Sequence, residues 1–204
     1  MVPDICPPRL GLLFVKRRIK MKIFVIGGKA KCGKNTFGEY LREQLKDYGY
    51  KPCVMHITEP LYMYARNYFE YDPKNDEKPR EFLQKMGTEI IRDKLGKEDF
   101  LLNRLYEDIE ILGNFFDTFI ITDARLVHEF ESLKKKYSDV VTIKLERENY
   151  DNKLTQEEAN HITEKEIDLY PNFDYVINNR NLDDLKTQAL EVIRNEENYE
   201  GGLL

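Results

Sequence analysis

The sequence predicts an α/β fold: a five-stranded parallel sheet with helices packed on both faces. Three observations carry this. Five short apolar runs, at 22–27, 52–58, 115–121, 140–145 and 173–177, are separated by longer amphipathic stretches. The runs are continuous rather than alternating, as strands buried on both faces are. The first run ends in a glycine turn that opens directly into an apolar stripe of helical period.

Each element has its own signature. Residues 22–27, KIFVIG, place a strand at the centre of the sheet, and Phe37, Leu41, Leu45 and Tyr48 then line one helix face until Gly49. After the second strand, a short helix starts at Pro60, and the turn-rich YDPKNDEK of 71–78 leads to Pro79, which suits a first helical turn. Phe82, Leu83, Met86 and Ile90 give that helix a buried side, which Gly87 interrupts at a cost in propensity. Leu102, Leu105, Ile109 and Leu112 mark a helix over 98–112, ended by Gly113-Asn114. FFDTFII at 115–121 is the third strand, a helix follows over 126–137, and 140–145 is the fourth strand. The polar stretch 146–161 reads as a mobile lid, followed by a short helix near 157–166. After the fifth strand, Asn181 caps a last helix whose first turn carries Asp183 and Asp184, and the tail 197–204 reads as flexible.

The 204 residues suffice for one such domain and no second of comparable size. Residues 1–20 hold five basic groups, one acid and three prolines without periodicity, and read as a disordered or non-native extension before a domain at 21–196. With a whole-chain charge of −5, the +4 of this segment leaves the body at −9, which excludes a general nucleic-acid binder. No apolar run approaches a membrane span. Three scattered cysteines, Cys6, Cys32 and Cys53, form no disulfide framework and fit a reducing, cytoplasmic setting.

The segment Gly28-Lys29-Ala30-Lys31-Cys32-Gly33-Lys34-Asn35-Thr36 fits G-x-x-x-x-G-K between a strand and a helix. Two glycines let successive N–H groups turn inward, and the helix adds its free N-terminal N–H groups. Lys34 is expected to bridge the β- and γ-phosphates of a nucleoside triphosphate, and Thr36, one residue later than in the common motif, to hold Mg²⁺. Asn35 can also reach the metal. Asp123 ends the third strand on the rim where open parallel sheets bind ligands. It reads as a carboxylate that holds Mg²⁺ through water or accepts a proton from an acceptor phosphate, or as a cap for the following helix. Arg125, Arg80, Arg92 and Arg147 are the basic groups available to an anionic acceptor, each with a surface ion pair as the alternative. Glu59 ends the second strand on the same rim.

These pieces resemble the nucleoside monophosphate kinases with a P-loop, and most closely the deoxynucleoside monophosphate kinases of phages and bacteria. The matching segments are GKAKCGKNTFGEYL at 28–41, PREFLQKMGTEIIRD at 79–93, FIITDARLVHEF at 119–130, HITEKEI at 161–167 and FDYVINNRNLDDL at 173–185. The resemblance implies an adenylate-kinase-like, three-layer α/β/α fold. It implies ATP and Mg²⁺ at Gly28 to Thr36 and catalytic roles for Lys34, Asp123, Arg125 and Arg147. It places the acceptor at Glu59, Arg80, Gln84, Arg92, Arg125, Glu129, His161 and Glu164, and Asn178 near the adenine. The chain departs from the family at Lys31-Cys32, at Leu126 where an aromatic is common, and at Asn35 where Asp is common.

The expected reaction is transfer of the γ-phosphate of ATP to a (deoxy)nucleoside monophosphate, by a monomer or homodimer acting on a small phosphorylated acceptor. Dephospho-CoA kinase and phosphomevalonate kinase are rivals on a related fold. A regulatory nucleotide-binding module, which needs the loop without the acceptor arginines, is the rival outside catalysis.

Overall fold

A computed structural model describes residues 21–147 and 166–201. Five parallel strands form one sheet in the order β2-β3-β1-β4-β5. They are β1 (Lys22–Gly27), β2 (Pro52–Met55), β3 (Thr118–Ala124), β4 (Val140–Glu146) and β5 (Tyr175–Asn178). The helices are α1 (Lys34–Asp47), α2 (Glu59–Tyr68), α3 (Arg80–Gln84), α4 (Phe100–Leu112), α5 (Val127–Lys136) and α6 (Leu182–Gly201). A 3₁₀ turn covers Glu166–Leu169.

The continuous apolar runs are explained by burial on both sheet faces. Phe24, Ile26 and Ile120 meet Phe37 and Leu41 of α1 and Leu185 and Ala189 of α6. Their neighbours Ile23, Val25, Phe119 and Ile121 meet Leu102, Leu105 and Ile109 of α4 and Phe130 and Leu133 of α5. Three layers result, with β1 at the centre between β3 and β4.

The strand ends differ from the sequence expectation for local reasons. β2 stops at Met55 because Ile57 and Thr58 donate their N–H groups to Asp123 instead of to a strand. β3 begins at Thr118 and reaches Ala124, while Phe115, 69 % exposed, belongs to the turn before it. The helix after Pro79 does not break at Gly87. It widens into a π-helix over Lys85–Lys94, closed by Leu95 N–H donating to Ile90 O at 2.9 Å. A Cβ on Gly87 would stand 3.1 Å from Leu61 Cδ1, so the glycine permits α2 to lie close against it. The last helix caps as expected, Asp184 N–H donating to Asn181 Oδ1 at 2.9 Å. It continues to Gly201, into the tail read as flexible, because its side chains are anchored. Glu196 pairs with Lys22 at 3.0 Å and accepts from Tyr175 at 2.7 Å, and Glu197 accepts from Tyr50. The extension at 1–20, most of the lid, and the helix start before Glu166 lie outside the described residues.

Candidate active site

The loop after β1 leaves the central strand at the carboxyl edge of the sheet. Gly28 and Gly33 hold φ of +148° and +108°, and Lys31 holds +59°, so the chain reverses through conformations that only glycine adopts readily. At Gly28 there is also no room for a side chain: a Cβ would lie 2.4 Å from Leu145 O and 2.7 Å from Cys32 Sγ. Asn179, just past β5, fixes the far side of the loop by donating Nδ2–H to Cys32 O at 2.8 Å. Its own backbone N–H is held by Glu146 O at 2.8 Å.

Lys34 opens α1 and is only 7 % exposed. Its ammonium donates to the carbonyls of Gly28 and Lys29, each at 2.7 Å, and approaches Cys32 Sγ at 3.8 Å. A cation is thus stationed inside a ring of backbone at a helix N-terminus, the arrangement that receives a polyphosphate. Ala30 and Cys32 are buried and serve as small loop residues, Lys31 and Asn35 are exposed, and Thr36 is half-buried in the first turn of α1. Lys29 reaches the other way, to Asp168 at 2.7 Å.

Asp123 stands at the end of β3, one strand from the loop. Its Oδ1 accepts from Ile57 N–H at 2.7 Å, and its Oδ2 from Thr58 N–H at 3.0 Å and Thr58 Oγ1–H at 2.6 Å. The carboxylate therefore clamps the turn into α2 and complements that helix's N-terminal dipole. It does not cap α5.

That cap is Glu129. Its Oε2 accepts from the N–H groups of Arg125 and Leu126, at 2.7 and 3.0 Å. Only 9 % of the residue is exposed. Burial pushes its carboxyl up to about 7, with the Asp123 charge adding to the rise against the two backbone bonds and Arg92. Glu129, expected on the acceptor side, thereby fixes the backbone of Arg125 through Oε2.

Near this carboxylate pair stand several of the residues expected on the acceptor side. Burial, Tyr71 and Asp123 push the Tyr62 phenol up to about 12, against the pull of Arg125 and Arg80. The Tyr62 and Tyr71 ring centroids are 6.3 Å apart, and Lys78 Nζ lies 5.8 Å from the Tyr62 centroid. Burial and then the Arg92 guanidinium lower the His128 pKa, so Arg92 faces the start of α5. Gln84 is half-buried at the end of α3.

Other expected site residues fall elsewhere. Glu59 pairs with Arg66 at 2.5 Å, an ion pair on the outer side of α2 with Glu59 53 % exposed, so it is engaged within its own helix. Arg147 is exposed directly after β4. The Asn178 carbonyl accepts from Gln188 Nε2–H at 3.0 Å, and it is the next residue, Asn179, that touches the phosphate loop. His161 and Glu164 lie outside the described residues. Tyr62, Thr58, Asp168 and Asn179 escaped sequence reasoning. Asn179 had a visible signal in the Asn-Asn pair after an apolar run; the others depend on which loops meet in space.

The donor set fits a divalent ion carried by a nucleotide. Among the described residues no three His, Cys, Asp or Glu side chains converge. Thr36 in the first turn of α1 offers a hard oxygen. Thr122 Oγ1, next to Asp123, is fully buried with no partner, beside Gly38 of the same helix. One or two protein oxygens, with phosphates and water completing the shell, is the coordination Mg²⁺ takes.

The family model for deoxynucleotide monophosphate kinase matches residues 70–189, more than half of the chain. No curated protein matches this sequence. Among solved structures, a shikimate kinase of Bacteroides thetaiotaomicron superposes with a TM-score of 0.50 at 16 % identity, over 87 % of this chain and 98 % of that one. An APS kinase of Mycobacterium tuberculosis, solved with AMPPNP and APS, gives 0.50 at 12 % identity over 87 % and 98 % of the two chains. These likenesses show the fold, and among the described residues no helix is long and apolar enough to cross a membrane. With the phosphate loop, the clamped Asp123 and the family match together, the chain is an ATP-dependent phosphotransferase and belongs to the deoxynucleotide monophosphate kinase family.

Proposed function

We propose that this kinase transfers the γ-phosphate of ATP to a deoxynucleoside monophosphate, giving the diphosphate and ADP. The observation that supports it most is the presence of Arg80 and Arg125 beside Tyr62, with Arg92 beside the neighbouring Glu129 and His128, at the end of β3, one strand from the phosphate loop. A triphosphate-binding module without an acceptor has no use for a second basic centre there.

In this reading the loop N–H groups and Lys34 hold the donor phosphates, the ammonium moving from the Gly28 and Lys29 carbonyls onto the phosphate oxygens. Thr36, with Asp123 through water, would hold Mg²⁺, which when bound neutralises charge between the β- and γ-phosphates. Arg80, Arg92 and Arg125 orient the acceptor phosphate, whose oxygen is already anionic and needs little base catalysis. Glu129 keeps Arg125 at the rim. Tyr62 and Tyr71 provide aromatic surface beside those arginines for the rest of the acceptor. Catalysis then rests on position and charge rather than on covalent chemistry.

A coupled ADP-release assay over dTMP, GMP, CMP, dephospho-CoA and phosphomevalonate tests the assignment, with Lys34→Ala as control. Turnover confined to nucleoside monophosphates, and favouring the deoxy sugar when GMP and CMP are each paired with their deoxy counterparts, supports it. Turnover of dephospho-CoA or phosphomevalonate alone overturns it.

A further inference from the structure

Lys29 of the phosphate loop turns its charge away from the loop's interior. Its Nζ meets Asp168 Oδ2 at 2.7 Å, while Asp168 Oδ1 meets Lys144 Nζ at 3.1 Å. Lys144 also pairs with Glu146 at 2.8 Å, so one carboxylate joins the loop, the end of β4 and the 3₁₀ turn at Glu166–Leu169. That turn is in its turn docked on the fold: Glu166 Oε1 accepts Val127 N–H at 2.9 Å, and Ile167 is fully buried. Asp168 therefore sits on a fixed support. Against the rise that burial causes, Lys29 and Lys144 together hold its carboxyl below the usual carboxylate range.

The loop does not depend on Asp168 for its shape. Asn179 holds Cys32 O, Lys34 holds two loop carbonyls, and Gly28 packs directly on Leu145. What Asp168 contributes is charge. It engages two cations at the mouth of the loop, and it places a negative charge within one lysine length of the phosphate cradle.

We propose that Asp168 is a positioning residue for the donor site, an internal counter-anion that draws Lys29 off the cradle and competes with the polyphosphate for it. The inference rests on the reading that this loop binds the donor triphosphate. Nucleotide binding must displace Lys29 from Asp168 or proceed without it, so Asp168 weakens donor affinity and favours release. The carboxylate stands one lysine side chain from the loop backbone, a span shorter than the Debye length of roughly 8 Å at physiological salt, and it is partly solvated. The effect of removing one such charge is then about threefold in affinity, larger at low salt.

The test is Asp168→Asn, with Asp168→Glu as the conservative variant. Dissociation constants of MgATP are measured by calorimetry at two salt concentrations, alongside KM for ATP and for the acceptor. Expected is a tightening of MgATP of about threefold in Asp168→Asn, growing as salt falls. Asp168→Glu should retain wild-type affinity, and the double variant Asp168→Asn, Lys29→Met should lose the gain. Equal or weaker MgATP binding in Asp168→Asn than in wild type, in a variant folded by circular dichroism, overturns the proposal. Failure of the wild-type protein to bind MgATP would instead sink the donor-site reading on which it rests.

Discussion

Glu129 makes the fold's stability depend on pH in a way that can be calculated. Its carboxyl is pushed from an ordinary value of 4.5 to about 7, chiefly by burial. The folded chain then binds this proton more tightly than the unfolded chain does. The stability linked to it is full below about 4.5 and is lost as the pH rises through 7. Relative to a permanently neutral side chain, linkage gives a cost of about 3 kcal/mol at pH 8, where the buried group is ionised, and about 1 kcal/mol at pH 5, where it takes up a proton on folding. Glu129→Gln removes the charge and keeps the geometry, because one oxygen, Oε2, accepts both N–H groups and an amide oxygen can do the same. The variant should be more stable than wild type by up to about 3 kcal/mol at pH 8, a rise in Tm of roughly 6–12 °C, and by much less at pH 5. Urea and thermal unfolding of both proteins between pH 5 and 8 measure this. A difference that does not change with pH, or a Gln variant less stable at pH 8, refutes the assignment of a buried, hard-to-ionise carboxylate.

Three further outcomes follow from the geometry. Lys34→Ala should lower kcat/KM by about 10²–10³-fold in the coupled assay, since it removes the ammonium held against the loop carbonyls. Gly33→Ala should destabilise the chain by about 1–3 kcal/mol in urea and weaken MgATP, because a Cβ there meets Asn179 Nδ2 at 2.5 Å at a φ of +108°. Adding Asn179→Ala should recover only part of that loss, as the clash goes and the backbone strain stays. Phe130→Ala should cost about 3–5 kcal/mol, emptying a fully buried site where Phe130 stacks with Tyr170 at 4.9 Å and meets Phe173 edge-on at 5.2 Å.

The elements that repeat a local rule were readable in the sequence. KIFVIG could only be a strand buried on both faces, and the glycines of the following turn are where positive φ occurs. The stripe of Phe37, Leu41 and Leu45 packs as its period required. The π-helical widening over Lys85–Lys94 was not readable, because it answers to the close approach of Leu61 at Gly87 rather than to propensity. The site divides in the same way. Lys34 and the loop follow from spacing alone. Asp123 was correctly placed on the rim, yet its partners, Ile57 and Thr58, lie more than sixty residues away and become visible only once β2 and β3 are paired. Glu129 was singled out for its spacing from Arg125, but only the fold reveals that its carboxylate faces backbone. Asp168 and Lys29 lie far apart in the chain and meet because the 3₁₀ turn docks beside β4.

On the proposed function, the phosphate loop and the arginine-bearing rim act on two substrates at once. Phosphorus NMR of the protein with MgATP and a single deoxynucleoside monophosphate observes that directly. The resonances of ADP and of the deoxynucleoside diphosphate should grow together, one for one, and more slowly by about a hundredfold or more with the Lys34→Ala protein. Inorganic phosphate appearing at the same rate with or without any monophosphate, and no diphosphate product across the four deoxynucleotides, would contradict it.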